Sequence, residues 1–311
     1  MFFNKKKVTF GRHETFPLRY SWLTKGVQEF DKDPSIFASK NNDATVKLGV
    51  GKNMVNSIRY WLVATQILSQ SKGEYSLTPV GQAIFGDNGF DIYLEDEATI
   101  WLIHWLLASN PTMATSWYWY FNYFHKPEFS NKDVLDNLHN FAKQRIISKF
   151  SVGTLKKDVD ILLRMYSQSK TNTRQTIEDS LDSPLSLLGL ISHLPNSKSY
   201  YSFPEDRNKI PLGIMGFAVM SIFQKIQIPA IPIENLMYMK GNQPALGAIF
   251  RMTESAFIAK LEQLTRYIPN LLEIRENAGI HQLHFLGEVK TCNPMGYLQK
   301  HYTNTQQRVV K

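Results

Sequence analysis

The sequence predicts a mostly α-helical chain with small β-wings, in which tandem winged-helix or helix-turn-helix modules are joined by helical segments. Three observations carry this. The run "KLGVGKNMVNSIRYWL", residues 47–62, breaks a helix at Gly49-Val50-Gly51 and restarts it at once. "KGEYSLTPVGQAIF" then reads as a turn, a short strand and a capped helix. Helical runs with the same kind of start recur at 151–166 and after Thr253. A chain of 311 residues is too long for one small core, so several domains are expected. We place them at 1–125, 126–232 and 233–311.

The first polar knot is "FGRHETFPLRYSWL", residues 10–23, where Arg12, His13 and Glu14 precede Pro17, read here as opening a helix. Histidine serves as general base, glutamate holds a divalent ion, and arginine stabilises a phosphate oxyanion. These three are therefore the candidate catalytic set. The alternative is structural: Glu14 and Thr15 cap the helix and His13 lies at the surface.

At the corner, Ala44, Leu48, Val50, Val55 and Ile58 fall where a helix-turn-helix packs its two helices. Asn53, Asn56, Ser57 and Tyr60 share the opposite face of the second helix. In such units that helix enters the major groove, where Asn bonds bidentately to adenine. Lys52 and Arg59 suit phosphate contacts, as does Lys72 in the turn that follows. Thr78 is a natural N-cap and Pro79 the first helical residue. Strand and capped helix after a helix-turn-helix make a winged-helix arrangement. A plain helical corner and a protein-docking module remain the alternatives.

"EDEATIWLIHWLLAS" reads as an amphipathic helix with acids at its start and Trp101, Leu102, Trp105 and Leu106 as its apolar face. His104 reads as packed rather than ligating. "SWYWYFNYF", residues 116–124, is a core or inter-domain seam before it is a stacking platform for unpaired bases.

"SVGTLKKDVDILLRMY", residues 151–166, separates an apolar stripe (Leu155, Val159, Leu162, Tyr166) from a polar one (Lys156, Lys157, Asp160, Arg164). It is similar to the recognition helix of DeoR-type winged-helix repressors, with Lys156, Lys157 and Arg164 as candidate DNA contacts. A solvated basic face is the alternative. Residues 167–180 read as a polar loop. Farther on, Thr253 caps a helix and "LLEIRENAGIHQLHFL" turns as a hairpin at Asn277-Ala278-Gly279. The outer face of that helix mixes Glu262, Gln263 and Arg266, which suits docking or a homodimer better than phosphate.

Composition narrows the classes further. Lys plus Arg number 35 against 27 acids, a net charge of +8, and the excess is clustered. Residues 140–175 carry eight basic residues against Asp158 and Asp160. Clustered positive charge suits a polyanion such as double-stranded DNA. No apolar stretch approaches the ~20 residues of a membrane span. Cys292 is the only cysteine, which excludes an intrachain disulfide framework and cysteine-rich zinc sites and suits a reducing cytoplasm. There is no GxxxxGK[ST], HExxH or GxSxG motif, nor a close-spaced nuclease-type acidic trio.

"FGRHETFPLRYSWLTKG", "DATVKLGVGKNMVNSIRYW", "LEDEATIWLIHWLL", "TLKKDVDILLRMY" and "EDSLDSPLSLLGLI" occur in this order. Together they resemble the SspB family of bacterial DNA phosphorothioation systems, over roughly residues 9 to 290. The resemblance implies a cytoplasmic restriction-modification and antiphage setting. It implies a DNA-binding, strand-nicking component; Mg²⁺ or Mn²⁺ would suit that chemistry, although no metal site is evident in the sequence. Its implied partners are a cysteine desulfurase, an ATPase and an ATP-pyrophosphatase-type sulfur-transfer protein. Cys292 lies outside these motifs, so nothing supports a persulfide-carrier role. A non-catalytic DNA-binding scaffold, a transcription factor and a protein-interaction hub are the competing classes.

Overall fold

A computed structural model describes residues 2–38, 43–168, 183–241 and 243–309. From residue 169 on, the polar loop expected at 167–180 lies outside the described residues. The chain is mostly helical with small antiparallel sheets, and it forms two compact units, residues 4–120 with 124–202 and residues 203–311 with 1–3 and 121–123. The boundary expected at 125/126 thus falls within the first unit.

The first unit opens with α1 (Tyr20–Lys32), α2 (Ala44–Leu48) and α3 (Lys52–Ala64). Pro17 does not open α1: Pro17 and Leu18 are buried before it, Arg19 takes the N-cap position, and neither Glu14 nor Thr15 caps. Gly49 ends α2 in the left-handed region at φ +64°, its N–H donating to the Thr45 and Val46 carbonyls. A Cβ there would meet nothing within 4 Å, so glycine is required by conformation alone. Ala44, Leu48 and Ile58 are buried, as the corner predicts. A hairpin follows, β1 (Leu68–Ser71) on β2 (Glu74–Leu77) in register Leu68↔Leu77, turning at Lys72-Gly73. Then comes α4 (Pro79–Phe85), where Thr78 Oγ1 accepts from Gly81 N–H at 3.0 Å.

The helix α5 (Glu97–Ala108) corrects the amphipathic reading. Every residue from Ala98 to Ala108 is buried, because Ile100, Ile103 and Leu107 complete the ring that Trp101, Leu102, Trp105 and Leu106 begin. Of the acids before it, Asp91 is buried and accepts from the Glu95 and Asp96 N–H groups, while Asp96 caps the helix. His104 is packed, bonded through Nδ1 to the Tyr166 hydroxyl at 2.8 Å. In α6 (Thr115–Tyr123) the aromatic run is core, with Trp117, Tyr118 and Tyr120 among the largest fully buried side chains.

Two helices that pack on each other follow in this unit, α7 (Asn131–Arg145) and α8 (Val152–Tyr166). Ser130 and Asp133 form a capping box at the start of α7. Lys126 hydrogen-bonds Asp133 and holds its carboxyl well below the usual range. Ser151 caps α8, accepting from Thr154 N–H. Short strands β3 (Glu128–Phe129), β4 (Ser192–His193) and β5 (Tyr200–Tyr201) form a sheet in the order β3-β5-β4.

The second unit holds α9 (Leu212–Ile226), β6 (Ala230–Pro232), α10 (Ile233–Met237), α11 (Leu246–Ile249), α12 (Glu254–Tyr267), β7 (Leu272–Asn277), β8 (Ile280–Phe285) and α13 (Met295–Val309). Its sheet runs β6-β8-β7. Thr253 caps α12 and the hairpin turns at Ala278-Gly279, both as the sequence predicts.

Candidate functional site

The knot at 11–15 is built from the inside out around one carboxylate. Asp158 is buried on the inner face of α8. It accepts from Gly11 N–H at 2.7 Å and from His13 Nε2 at 2.9 Å on Oδ1, and from the Ser116 hydroxyl on Oδ2. Thr15 N–H donates to His13 Nδ1 at 3.1 Å, which places the ring proton on Nε2. The ring lies against Trp61, Trp117 and Tyr60 with centroids 6.0–6.2 Å away. Trp61 Nε1 donates to the Phe16 carbonyl. Gly11 has φ +69°, and a Cβ on it would stand 2.5 Å from Thr154 Cγ2 of α8. Glu14 and Thr15, although not glycine, also sit at positive φ, 49° and 64°. Backbone held in that region costs energy that the surrounding bonds must offset.

This architecture sorts the candidate catalytic residues. His13 has no exposed surface and both ring nitrogens are engaged, so the candidate general base is held as a buried strut, and the alternative that put it at the surface fails too. Arg12 and Glu14, one residue to either side, point out and are exposed. Both line a cavity of about 370 Å³ with Thr9, Asn56, Arg59, Tyr60, Val63, Gln70, Tyr75 and Met113. The knot, the middle of α3 and the β1–β2 hairpin therefore meet at one concave surface.

On α3 the exposed residues are Lys52 and Asn53, with Asn56 and Arg59 half-buried. Arg59 bridges the Phe37 carbonyl at 3.3 Å and Asn56 Oδ1 at 3.2 Å, which fixes its guanidinium at the cavity wall. Ser57 is fully buried and is corrected as a DNA contact, because α3 is enclosed on all sides from Ser57 onward save at Arg59. Tyr60 is 6% exposed and donates its hydroxyl to the Met113 carbonyl, presenting little more than a ring edge. Burial, with Asp158 nearby, pushes its phenol well up. From the hairpin, Gln70 Nε2 donates to the Tyr75 hydroxyl at 3.0 Å.

Lys72 is exposed at the hairpin turn. Lys156, Lys157 and Arg164 are exposed on the outer face of α8, with Asp160 accepting from Asn131 at 2.6 Å among them. None of these four lines the cavity. Among the described residues no group of three or more His, Cys, Asp or Glu is placed to hold a metal ion, and no helix is long and apolar enough to cross a membrane. Sequence reasoning missed Asp158 and Ser116. The signal that could have found Asp158 is an acid standing within the apolar register Leu155, Val159, Leu162.

A family model described as a protein of unknown function (DUF4007) matches residues 10–302. The chain belongs to this family. Two crystal structures of SspB, one of them magnesium ion-bound, are similar to this DUF4007 chain, each with a TM-score of 0.81 and 26% identity. Each comparison covers 95% of this chain and 88% of the other. The resemblance to the SspB family thus holds for the fold as well as for the motifs. No curated protein matches the sequence.

Proposed function

We propose that the first unit binds duplex DNA as a component of a phosphorothioation system, and that a DNA strand is nicked at the cavity beside α3. The observation that carries this is the convergence of Arg12 and Glu14 with Asn56 and Arg59 on one concave surface. In this reading α2, α3 and the β1–β2 hairpin act as a winged helix. Asn53 and Asn56 meet the groove, while Lys52, Lys72, Lys156, Lys157 and Arg164 meet phosphates. Arg12 and Arg59 would neutralise the charge that builds on a phosphorane, in a wall already fixed before the DNA arrives.

Among the described residues Glu14 is the only carboxylate lining the cavity, which Arg12 and Arg59 also line. Mg²⁺ is commonly held by one or two carboxylates together with substrate phosphate oxygens and water. Glu14 fits that habit if the phosphate enters with the ion, since a bare cation would be repelled by the arginines. Such an ion supplies an activated water and charge neutralisation. The donor set of the chain itself does two other things: Arg12 and Arg59 orient the phosphate, and the His13–Asp158 pair keeps Arg12 and Glu14 facing out.

Relaxation of supercoiled plasmid with Mg²⁺, Mn²⁺ or EDTA tests the reading. The parent protein should nick with either ion and not with EDTA, and Glu14→Ala should abolish nicking. Arg12→Ala should slow it by about 10²-fold, as loss of one oxyanion donor does. Tight DNA binding with no nicking under any condition would favour the non-catalytic scaffold, a reading that the engaged nitrogens of His13 already support.

A further inference from the structure

The sheet of the second unit ends on β7, whose outer edge pairs with no strand among the described residues. The register decides which backbone groups face outward. Asn277 pairs with Ile280 across the two-residue turn, and such a turn is closed by a bond between those two residues. At the other end Leu286 N–H donates to the Leu271 carbonyl at 3.0 Å. Antiparallel pairing alternates. Leu271, Glu273, Arg275 and Asn277 therefore spend their backbone groups on β8, and Leu272, Ile274 and Glu276 direct theirs out. Side chains alternate as well. Leu272 is buried and Ile274 half-buried, while Glu273 and Arg275 are exposed and paired with each other at 2.6 Å.

We infer that this edge pairs with its own copy in a second chain, antiparallel, about a two-fold axis through Ile274. In that register Leu272 faces Glu276 of the second copy and Ile274 faces Ile274. The outward groups then form three pairs with two bonds each. Glu273 falls opposite Arg275 of the second copy, in the closer, non-hydrogen-bonded type of pair where opposite charges attract. Moving the axis to Glu273, Arg275 or Glu276 sets like charges face to face. Between Glu273 and Glu276, Ile274 is the one centre that avoids this.

Two further observations favour the second copy as occupant. Edge strands that must stay single are blunted by charges, proline or a bulge; β7 has no lysine, proline or bulge over its six residues, and its charges Glu273 and Arg275 are complementary across the proposed axis. Beside the same edge lies an open groove of about 690 Å³ lined by Glu262, Arg266, Leu272, Glu273, Ile274 and Leu286. A self-complementary patch of this kind is what a two-fold interface requires.

Sedimentation velocity of the full chain at micromolar concentration tests this. The parent protein should sediment as a dimer. Arg275→Glu sets glutamate opposite glutamate twice and should weaken association at least tenfold. Ile274→Pro removes the outward N–H at the axis while leaving β8 its bonds, and should do the same. The double exchange Glu273→Arg with Arg275→Glu restores unlike charges across the axis, so the dimer should return. A monomeric parent, a dimer indifferent to Arg275→Glu, or a double exchange that stays monomeric with an unchanged thermal melt would each overturn the proposal.

Discussion

Removing the Asp158 carboxylate should unfold the cavity wall from behind. Asp158→Ala orphans two fixed donors, Gly11 N–H and the His13 ring N–H, while the Ser116 hydroxyl can turn elsewhere. Each buried donor left unmade costs ~1–3 kcal/mol, and here two are left. A loss of about 4 kcal/mol is expected. Asp158→Asn is the informative contrast. Its oxygen can keep both Gly11 and His13, and the Ser116 hydroxyl can rotate to accept from the new amide. Three charge-assisted bonds become neutral ones, a loss of about 2 kcal/mol. Urea unfolding followed by tryptophan fluorescence isolates this effect, because all six tryptophans lie in the first unit. DNA nicking should fall with the same rank order, although Asp158 lies too deep to touch a ligand. If Asp158→Ala costs under about 1 kcal/mol, or costs no more than Asp158→Asn, the carboxylate does not hold the knot.

Three further outcomes are expected. Asn53→Ala with Asn56→Ala should weaken specific DNA binding by ~1–3 kcal/mol per lost base contact, with little change on random duplex; competitive fluorescence anisotropy reads both. Lys156→Ala with Lys157→Ala should reduce the slope of log K against log salt by roughly two, from a parental slope of about −4 to −7 for five to eight phosphate contacts. Cys292 is buried, and burial pushes its thiol up to about 11. Because only the thiolate reacts, and at pH 8 about one thiol in a thousand would be ionised, iodoacetamide should label it in urea but not in the native protein.

What the sequence made legible was local. Gly49, Thr78-Pro79, Ser151 and Thr253 act within one turn of themselves, through backbone conformation or a single cap bond, so residue type and spacing suffice to find them. The failures involve partners far along the chain. His13 and Asp158 stand 145 residues apart, and nothing near His13 announces that its ring will be enclosed by Trp61 and Trp117. Ser57 and Tyr60 sit on the polar side of α3 by helical periodicity. They turn inward in the structure because the second half of α3 is wrapped by aromatic side chains and the Met113 loop. Helical wheels assume one buried face. The full burial of α5 and the inner half of α3 breaks that assumption, since a unit rich in Trp and Tyr can cover a helix all round.

The same long-range bonds explain why exposed residues as different as Arg12 and Lys156 belong to one argument. The helix α8 is two-sided. Its inner face gives Asp158 to the knot and lays Thr154 against Gly11, while its outer face carries Lys156 and Lys157 to solvent. A side chain at Gly11 would strike Thr154 and strain φ together, displacing the knot from α8. The two positions flanking His13 point outward only because His13 points in, since a tight loop with left-handed residues at Gly11, Glu14 and Thr15 fixes their directions as a set. The arginine and glutamate of the cavity are therefore placed by a carboxylate that reaches no solvent. Any phosphate drawn to the outer face of α8 would meet a helix whose other side already holds the cavity wall in place.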